Sequence, residues 1–434
     1  MPRTPYEPGS EGPIRVILAG VRDDISRPAT PGMVLSWEES VKETSRLAET
    51  MDYEVVGVVS QEREAPDPAT YLGKGKTQEL ARLVEREEAS CVIVDGKLTP
   101  TQSRNLERIT GVPVMDRAEL ILRIFAARAN TAEGKLQVEI AAQKHALSSL
   151  SGFGVEMSNP GGGIGTRGPG ETKIEMDRRA LRSRIAHLNR GLKKVLRVRA
   201  EQTKQRRRSG IPIISLVGYT NAGKSTLFNA LTGEEAYADD KLFATLDPWT
   251  RKWVLPSGQT TLLVDTVGFI QGLPHELIAA FRATLEESVD SDLLIHVVDA
   301  ANPAWPQQMA TVDGVLSDLG VGDRPKIVCF NKKDKVMAEE LDSMLRLHKG
   351  SIAVSAVFEE GLEQIADAVV EGLATKRETV SLWVPYAKWD IAFELKRAGT
   401  LRSEVHDDEG AVITIDLRPE DAERYSRVLG IRKP

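Results

Sequence analysis

The chain has 434 residues, of which 41% are hydrophobic and 28% charged, and its formal net charge is −6. A chain of this length is too long for a single compact core, and roughly three domains are predicted. The composition is not that of a disordered chain. The longest apolar runs are short enough to be buried strands, so no membrane span is expected. Residues 1–12 lack an apolar stretch and are interpreted as a disordered tail, not a secretory signal. Cys91 and Cys329 each lie in an apolar run, which indicates core residues of a cytoplasmic protein.

Residues 13–116 are predicted to form an N-terminal α/β domain. Strand and helix signals alternate here, and strands joined by helices of this length indicate a parallel sheet with right-handed crossovers. The predicted strands are residues 14–19, 55–59, 91–94 and 112–115. Residues 73–76 (GKGK) lie between a strand and a helix, where they could bind phosphate, contact RNA or cap the helix.

Residues 117–210 are predicted to form an antiparallel hairpin of two long helices. The helical patterns cover residues 117–149 and 171–207, and a glycine-rich loop at 152–170 joins them. The second helix has a coiled-coil-like apolar seam. Residues 171–208 contain fourteen Lys/Arg and four Asp/Glu, a local net charge of +10 on a chain that is otherwise acidic. This asymmetry suggests a polyanionic partner.

Residues 211–376 resume the alternation of strands and helices and begin with a phosphate-binding loop. Residues 218–225 (GYTNAGKS) follow a buried strand, and a helix starts at Thr226. The glycines let backbone N–H groups point at phosphates, and the helix N-terminus adds partial positive charge. Lys224 would bridge the β- and γ-phosphates, and the Ser225 hydroxyl would ligate Mg²⁺.

Three more polar sequences follow predicted strands in this segment. Asp265 ends a strand and would hold the second shell of Mg²⁺, and the Gly268 N–H would contact the γ-phosphate. Asp334, in residues 331–334 (NKKD), can accept from the N1–H and 2-amino groups of guanine, which adenine lacks. Ser355 and Ala356 follow a further strand and are placed to give N–H groups to guanine O6. The order of these sequences resembles that of P-loop GTPases, so GTP and GDP are the predicted ligands.

The predicted nucleotide-binding residues lie on these loops or, for Phe243 and Thr245, on the segment between the phosphate-binding loop and Asp265. They are Gly218, Asn221, Ala222, Gly223, Lys224, Ser225, Thr226, Phe243, Thr245, Asp265, Gly268, Asn331, Lys332, Asp334, Ser355 and Ala356. Mg²⁺ is assigned to Ser225 and Thr245. Thr245 lies in a loop without regular periodicity, and Thr250 is the alternative, because spacing alone does not choose between them.

The catalytic group is not identified by these motifs, although Thr245, Gly268 and Lys224 would assist. Phe269 stands where Ras-like proteins keep the glutamine that orients water, and an aromatic ring cannot position water by hydrogen bonding. Slow intrinsic hydrolysis that needs a partner is therefore expected. Asn221 has two interpretations: it binds K⁺ beside the phosphates, or it only stabilises the loop.

Residues 377–434 are predicted to form a small α+β domain. The order is strand, helix, two strands joined by a turn at residues 407–410, and a helix that begins at Pro419. The predicted fold class is α/β: a P-loop GTPase domain with a mostly parallel sheet, preceded by an α/β domain with the hairpin and followed by this α+β domain.

Several segments closely resemble the HflX family of GTPases: residues 71–76, 95–107, 131–139, 161–172 and 243–251. The resemblance covers about residues 14–374. It implies a ribosome-associated GTPase that binds the large ribosomal subunit and ribosomal RNA and splits or rescues stalled ribosomes under stress. The resemblance also includes proposals that the N-terminal domain binds ATP. A basic hairpin with Gly161–Gly165 and Arg167 at its tip suits an RNA crevice. The alternatives are an ATP-dependent RNA remodeller acting through the N-terminal domain and a signalling switch that does not act on ribosomes. A monomer is expected.

Overall fold

The computed structural model describes residues 13–22, 36–151, 169–208, 211–233, 242–243, 249–271, 291–322, 324–374, 378–417 and 419–429. Three sequence-based predictions lie outside these residues: the tail at 1–12, the glycine-rich loop between 152 and 168, and Thr245. Among the described residues, no helix combines the length and the apolar composition needed to cross a membrane.

The N-terminal α/β unit is a parallel sheet with helices on both faces. Its elements are β1 (Ile14–Arg22), α1 (Trp37–Thr50), β2 (Tyr53–Glu62), α2 (Lys74–Arg86), β3 (Cys91–Val94), α3 (Pro100–Thr110), β4 (Val114–Asp116) and α4 (Arg117–Arg128). The described strands are ordered β2-β1-β3-β4. Helices α1 and α4 cover one face, with Leu47 and Leu120 in its core, and α2 and α3 cover the other. Thr99 caps α3 reciprocally with Gln102, and Pro100 lies in the first turn of the helix.

The single long helix expected over residues 117–149 is wrong, because the chain breaks it into α4 and α5 (Ala132–Ser151). Ala129 leaves the helix in an extended conformation, with ψ of 111°. The Thr131 hydroxyl then accepts from the Gly134 N–H at 3.0 Å and caps the new helix. Thr disfavours a helix interior but is a good N-cap, so the local preference overrides the continuous apolar pattern.

The basic helix α6 (Pro169–Arg208) runs antiparallel to α5. The Arg184 guanidinium of α6 lies 2.6 Å from the Glu139 carboxylate in the first half of α5. Arg178, which is earlier in α6, donates from Nη2 to the carbonyl of Leu150 near the C-terminal end of α5 at 3.0 Å. The contacts therefore run in opposite directions along the two helices, as the sequence predicts. The Leu188 side chain is buried in the seam, whereas most described Lys and Arg side chains of α6 are exposed.

The central unit carries a mostly parallel sheet. Its elements are β5 (Ile213–Gly218), α7 (Lys224–Thr232), β6 (Trp249–Val254), β7 (Thr260–Asp265), β8 (Leu293–Asp299), α8 (Trp305–Asp318), β9 (Lys326–Asn331), α9 (Ala338–Leu347), β10 (Ile352–Ala353) and α10 (Leu362–Ala374). The described strands are ordered β10-β9-β8-β5-β7-β6, and β6 at the edge is antiparallel to β7. The carboxyl ends of β5, β7, β8 and β9 therefore meet at one edge of the sheet.

The C-terminal unit is a small antiparallel sheet with two helices on one face. Its elements are β11 (Glu378–Pro385), α11 (Trp389–Ala398), β12 (Thr400–His406), β13 (Gly410–Leu417) and α12 (Pro419–Leu429). The described strands are ordered β11-β13-β12. The Asp407 carboxylate accepts from the N–H groups of Glu409 and Gly410, and this bond pattern makes the predicted turn. The three units confirm the predicted fold class.

The N-terminal and central units share one hydrophobic core. The Phe125 ring of α4 lies 4.6 Å from the Phe243 ring, centroid to centroid. Tyr219 and Phe269 of the central unit are buried in the same cluster as Leu120 of α4. Burial of this apolar surface holds α4 against the loops that follow β5 and β7.

The pH dependence of stability tests the packing of His296 between β8 and α8. Its side chain is buried between β8 and α8, with Nδ1 3.6 Å from Asp313 Oδ1. Burial lowers the pKa of His296 from 6.5 to about 4. The stability it contributes is therefore fully present above pH 6.5 and lost as the pH falls through 4, at most about 3 kcal/mol.

We expect urea unfolding to show this loss between pH 6.5 and 4, and to show a smaller loss for His296→Leu. His187→Gln, a change at an exposed histidine of α6, should keep the wild-type pH dependence. An unchanged pH dependence in His296→Leu would mean that protonation of His296 does not limit acid stability.

Candidate nucleotide-binding site

The phosphate-binding loop joins the central strand β5 to helix α7. Gly223 has a φ of +88°, and a Cβ there would lie 2.2 Å from Asn331 Nδ2, so only glycine fits. Among the described side chains none caps the N-terminus of α7. Its backbone N–H groups can therefore serve an anion.

Lys224 is almost completely buried at the start of α7. Its Nζ donates to the carbonyls of Tyr219 at 2.9 Å and Gly218 at 3.2 Å. Burial lowers the pKa of Lys224 to about 8, and the nearby Asp265 partly opposes this effect. A Cβ at Gly268 would lie 2.8 Å from the Thr220 Cα and 3.0 Å from Lys224 Nζ, so glycine lets the chain after β7 pass this close to the backbone of the phosphate-binding loop.

Ser225 and Asp265 form the pair expected at a Mg²⁺ site. The Ser225 hydroxyl donates to Asp265 Oδ2 at 2.7 Å, and Asp265 is buried at the end of β7. Among the described residues, no three His, Cys, Asp or Glu side chains cluster as a metal cage. This donor set fits Mg²⁺, which prefers oxygen and binds few protein ligands beside phosphates and water.

The loops after β9 and β10 are tied to the phosphate-binding loop. Asn331 Nδ2 donates to the Ala222 carbonyl at 2.9 Å, and Asn331 Oδ1 accepts from the Ala356 N–H at 3.0 Å. Lys332 Nζ lies 2.7 Å from the Asn221 carbonyl and 2.7 Å from Asp299 Oδ2. The amide of Asn331 is thus largely used inside the protein, a linking role that its motif does not reveal.

Asp334 is oriented by a hydroxyl from the next loop. The Ser355 hydroxyl donates to Asp334 Oδ1 at 2.5 Å. This bond fixes the plane of the carboxylate while leaving its second oxygen for another donor. The arrangement suits the two adjacent donors on the edge of guanine.

The segment between α7 and β6 is described only at residues 242–243. The Phe243 side chain packs against Phe125 of α4, so it belongs to the core between the units. Thr250 pairs with Val264 in the edge strand β6, where its backbone is held in the ladder. Thr245 stays a prediction.

Phe269 is buried and joins the segment after β7 to the phosphate-binding loop. Its N–H donates to the Gly218 carbonyl at 3.1 Å, and its carbonyl accepts from the Thr220 N–H at 2.7 Å. The ring lies in the core shared with α4. Phe269 thus positions the backbone next to Gly268.

Sequence reasoning missed several residues that shape the surroundings of the phosphate-binding loop. Tyr219 and Thr220 occupy variable positions of the P-loop pattern, and the buried Thr220 hydroxyl has no hydrogen-bond partner among the described residues. A cavity of about 670 Å³ lies between α1 and this loop and is bordered by Glu43, Asn221 and Lys332. No signal in the sequence connects α1 with the nucleotide site, because the contact depends on how two units pack.

Three protein-family models match the chain: "GTP-binding GTPase N-terminal" over residues 38–126, "GTP-binding GTPase Middle Region" over residues 128–206 and "50S ribosome-binding GTPase" over residues 213–332. The GTPase HflX of Caldanaerobacter subterraneus subsp. tengcongensis is 45% identical over 387 residues, which cover 89% of each chain. The GTPase HflX of Escherichia coli K12 is 39% identical over 378 residues, which cover 86% of this chain and 88% of that protein. A GTP-binding protein from Sulfolobus solfataricus, solved with GDP, is 26% identical and has a TM-score of 0.44; the match covers 83% of this chain and 99% of that one.

The role of Asp334 is tested by Asp334→Asn. An amide presents one donor and one acceptor, so it cannot accept from both guanine groups. We expect GTP affinity to fall by about 10²–10⁴-fold and affinity for xanthosine triphosphate, whose C2 carbonyl accepts from the amide, to rise. Displacement of a fluorescent nucleotide measures both. Asp342→Asn, at an exposed position of α9, is the matched control. Wild-type GTP affinity in Asp334→Asn would contradict the assignment.

Proposed function

Because the chain belongs to the HflX family of GTPases, we propose that it binds the large ribosomal subunit in a GTP-dependent way. GTP hydrolysis then couples to the splitting, rescue or recycling of ribosomes under stress. The observation that carries this proposal is the exposed basic helix α6, which belongs to the same chain as the loops around Lys224, Asp265 and Asp334.

In this proposal the described residues bind GTP at the edge of the central sheet. Lys224 and the N-terminus of α7 hold the phosphates, and Asp334 holds guanine. Ser225, with Thr245 outside the described residues, would ligate Mg²⁺, which offsets phosphate charge when bound. The N–H of Gly268 would contact the γ-phosphate, because glycine at this position lets the backbone pass close to Thr220 of the phosphate-binding loop.

The hairpin of α5 and α6 is the proposed RNA-binding element. A helix of 40 residues is about 60 Å long, enough to enter a deep crevice. Exposed cations along α6, including Arg182, Arg190 and Lys194, would contact phosphates, which supply most of the sequence-independent affinity. The glycine-rich tip would allow the backbone to approach RNA closely.

The geometry favours this proposal over an ATP-dependent remodeller acting through the N-terminal unit. In the turn at residues 73–76, the Gly73 N–H donates to Gln61 Oε1 at 2.7 Å. Lys76 Nζ lies 2.9 Å from the Glu79 carboxylate. Two of the groups in this turn that could bind phosphate therefore already have partners within the protein, and Gly73 is the N-cap residue of α2. The signalling switch remains an outcome of the next test.

We expect purified large subunits to stimulate GTP turnover at least about tenfold, since Phe269 supplies no means to orient water. The paired change Lys193→Glu and Lys194→Glu on α6 should lower the stimulated rate and reduce the salt dependence of subunit binding by a slope of about 1.5. Lys349→Glu with Lys388→Glu makes the same charge change elsewhere and is the control. GTP binding without any stimulation by subunits would favour the signalling switch.

The rate of GTP turnover in K⁺ and in Na⁺ distinguishes the two interpretations of Asn221. A K⁺ ion held by its side-chain carbonyl would add positive charge beside the phosphates, so turnover would be faster in K⁺ and Asn221→Ala would remove the difference. Equal rates in both salts would assign Asn221 to loop geometry, which its φ of +58° requires.

A further inference from the structure

A cluster of buried charges lies where the N-terminal unit meets the nucleotide site. Its centre is Arg117, the first residue of α4. Arg117 Nη1 lies 2.9 Å from Asp95 Oδ1 and 3.0 Å from the hydroxyls of Ser40 and Thr44. Arg117 Nη2 pairs with the Glu43 carboxylate of α1. Two carboxylates thus share one guanidinium away from water.

The same cluster reaches across to the central unit at Gln271. Arg117 Nη2 donates to the Gln271 carbonyl at 3.3 Å, and the Gln271 N–H donates to the Tyr219 hydroxyl at 2.8 Å. The Tyr219 hydroxyl is in turn hydrogen-bonded to the Glu43 carboxylate. Both backbone polar groups of Gln271 are therefore held by a network that begins in the N-terminal unit.

Tyr219 and Gln271 are close in the chain to the groups that would contact the γ-phosphate. The Tyr219 carbonyl accepts from Lys224 Nζ. Gln271 follows Gly268 by three residues, and Phe269 between them is bonded to the phosphate-binding loop. A movement of Gly268 on loss of the γ-phosphate must therefore either carry Gln271 with it or strain its two bonds.

The charges of the cluster hold Arg117 in place beside Gln271. Burial raises the pKa of Glu43, although the neighbouring Arg117 opposes the shift. A buried carboxylate that lost its guanidinium would be an uncompensated charge, which is strongly unfavourable. Arg117 is therefore fixed by Glu43 and Asp95, and its bond to Gln271 depends on where the segment after Gly268 lies.

The other side of the cluster leads to the basic hairpin. Asp116 precedes Arg117 and caps α4, accepting from the Glu119 N–H at 2.8 Å. Its Oδ1 also lies 3.7 Å from Nε2 of His145, which belongs to α5. Only Arg117 and Asp116 therefore separate Gln271 from the hairpin.

We propose that Arg117, Glu43 and Tyr219 are positioning residues for GTP hydrolysis. They hold the segment after Gly268 in its productive position and link the state of the nucleotide to the orientation of α5 and α6. By linkage, a ligand that reorients the hairpin changes hydrolysis through the same contacts. The proposal concerns the chain alone and does not depend on the ribosomal role.

The test compares Arg117→Lys, Tyr219→Phe and their combination with the wild-type chain. Lysine keeps a positive charge for Glu43 and Asp95 but lacks the planar fork that also reaches Gln271, and phenylalanine removes only the hydroxyl. Arg123→Lys is the matched control, since Arg123 lies on α4 and pairs with Glu119 of the same helix. Thermal unfolding of each variant with GDP establishes that it is folded.

We expect Arg117→Lys and Tyr219→Phe each to lower kcat about tenfold while KM changes less than about twofold. The double variant should be no slower than the single ones, because both changes release the same residue. Hydrogen exchange along α5 should differ between GDP and a non-hydrolysable GTP analogue in the wild type and in Arg123→Lys, and the difference should be lost in the other variants. Folded variants that keep wild-type kcat, or a wild-type chain whose α5 exchanges identically in both states, would overturn the proposal.

Discussion

The side-chain amide of Asn331 joins loops that the central sheet brings to one edge. It donates to the phosphate-binding loop at Ala222 and accepts from the base-recognition loop at Ala356. Lys332 repeats the connection through the Asn221 carbonyl. Loops on a protein surface are ordinarily free to move, whereas these are cross-linked by buried polar groups. The conformational entropy lost in ordering these loops is therefore lost mostly when the protein folds. Less of it is lost when the nucleotide binds.

Phe269, which follows Gly268, offers no side-chain group that could orient water, and its contacts are structural. The ring adds apolar area to the core that the central and N-terminal units share, and its backbone bonds fix the chain beside Gly268. Residue 269 thus fixes the position of the backbone and contributes no polar side chain to the site. In the proposed mechanism, hydrolysis depends on how that backbone is held, and the packing of α1 and α4 would therefore affect the chemistry.

Much of the fold and of the candidate site could be predicted because the signals are local. The strands and helices of all three units follow hydrophobic periodicity, and the residues around Lys224, Asp265 and Asp334 form short motifs at strand ends. The break at Thr131 was missed because the apolar pattern continues across it and only capping chemistry marks it. The contact between Glu43 and Tyr219 was missed for a different reason. These residues are far apart in sequence, and only the docking of two units brings them together.

The junction between α4 and α5 gives the hairpin a mechanical property. One end of α5 adjoins the capped break at Thr131, and there it lies beside α6 near residue 195, since Gly191 faces Leu136 and Arg184 pairs with Glu139. The part of α6 from this level to Pro169 is about 40 Å long, so a rotation of about 5° at the junction would move its end by about 3–4 Å. In the proposed coupling, a small adjustment beside the γ-phosphate would thereby be enlarged along the hairpin.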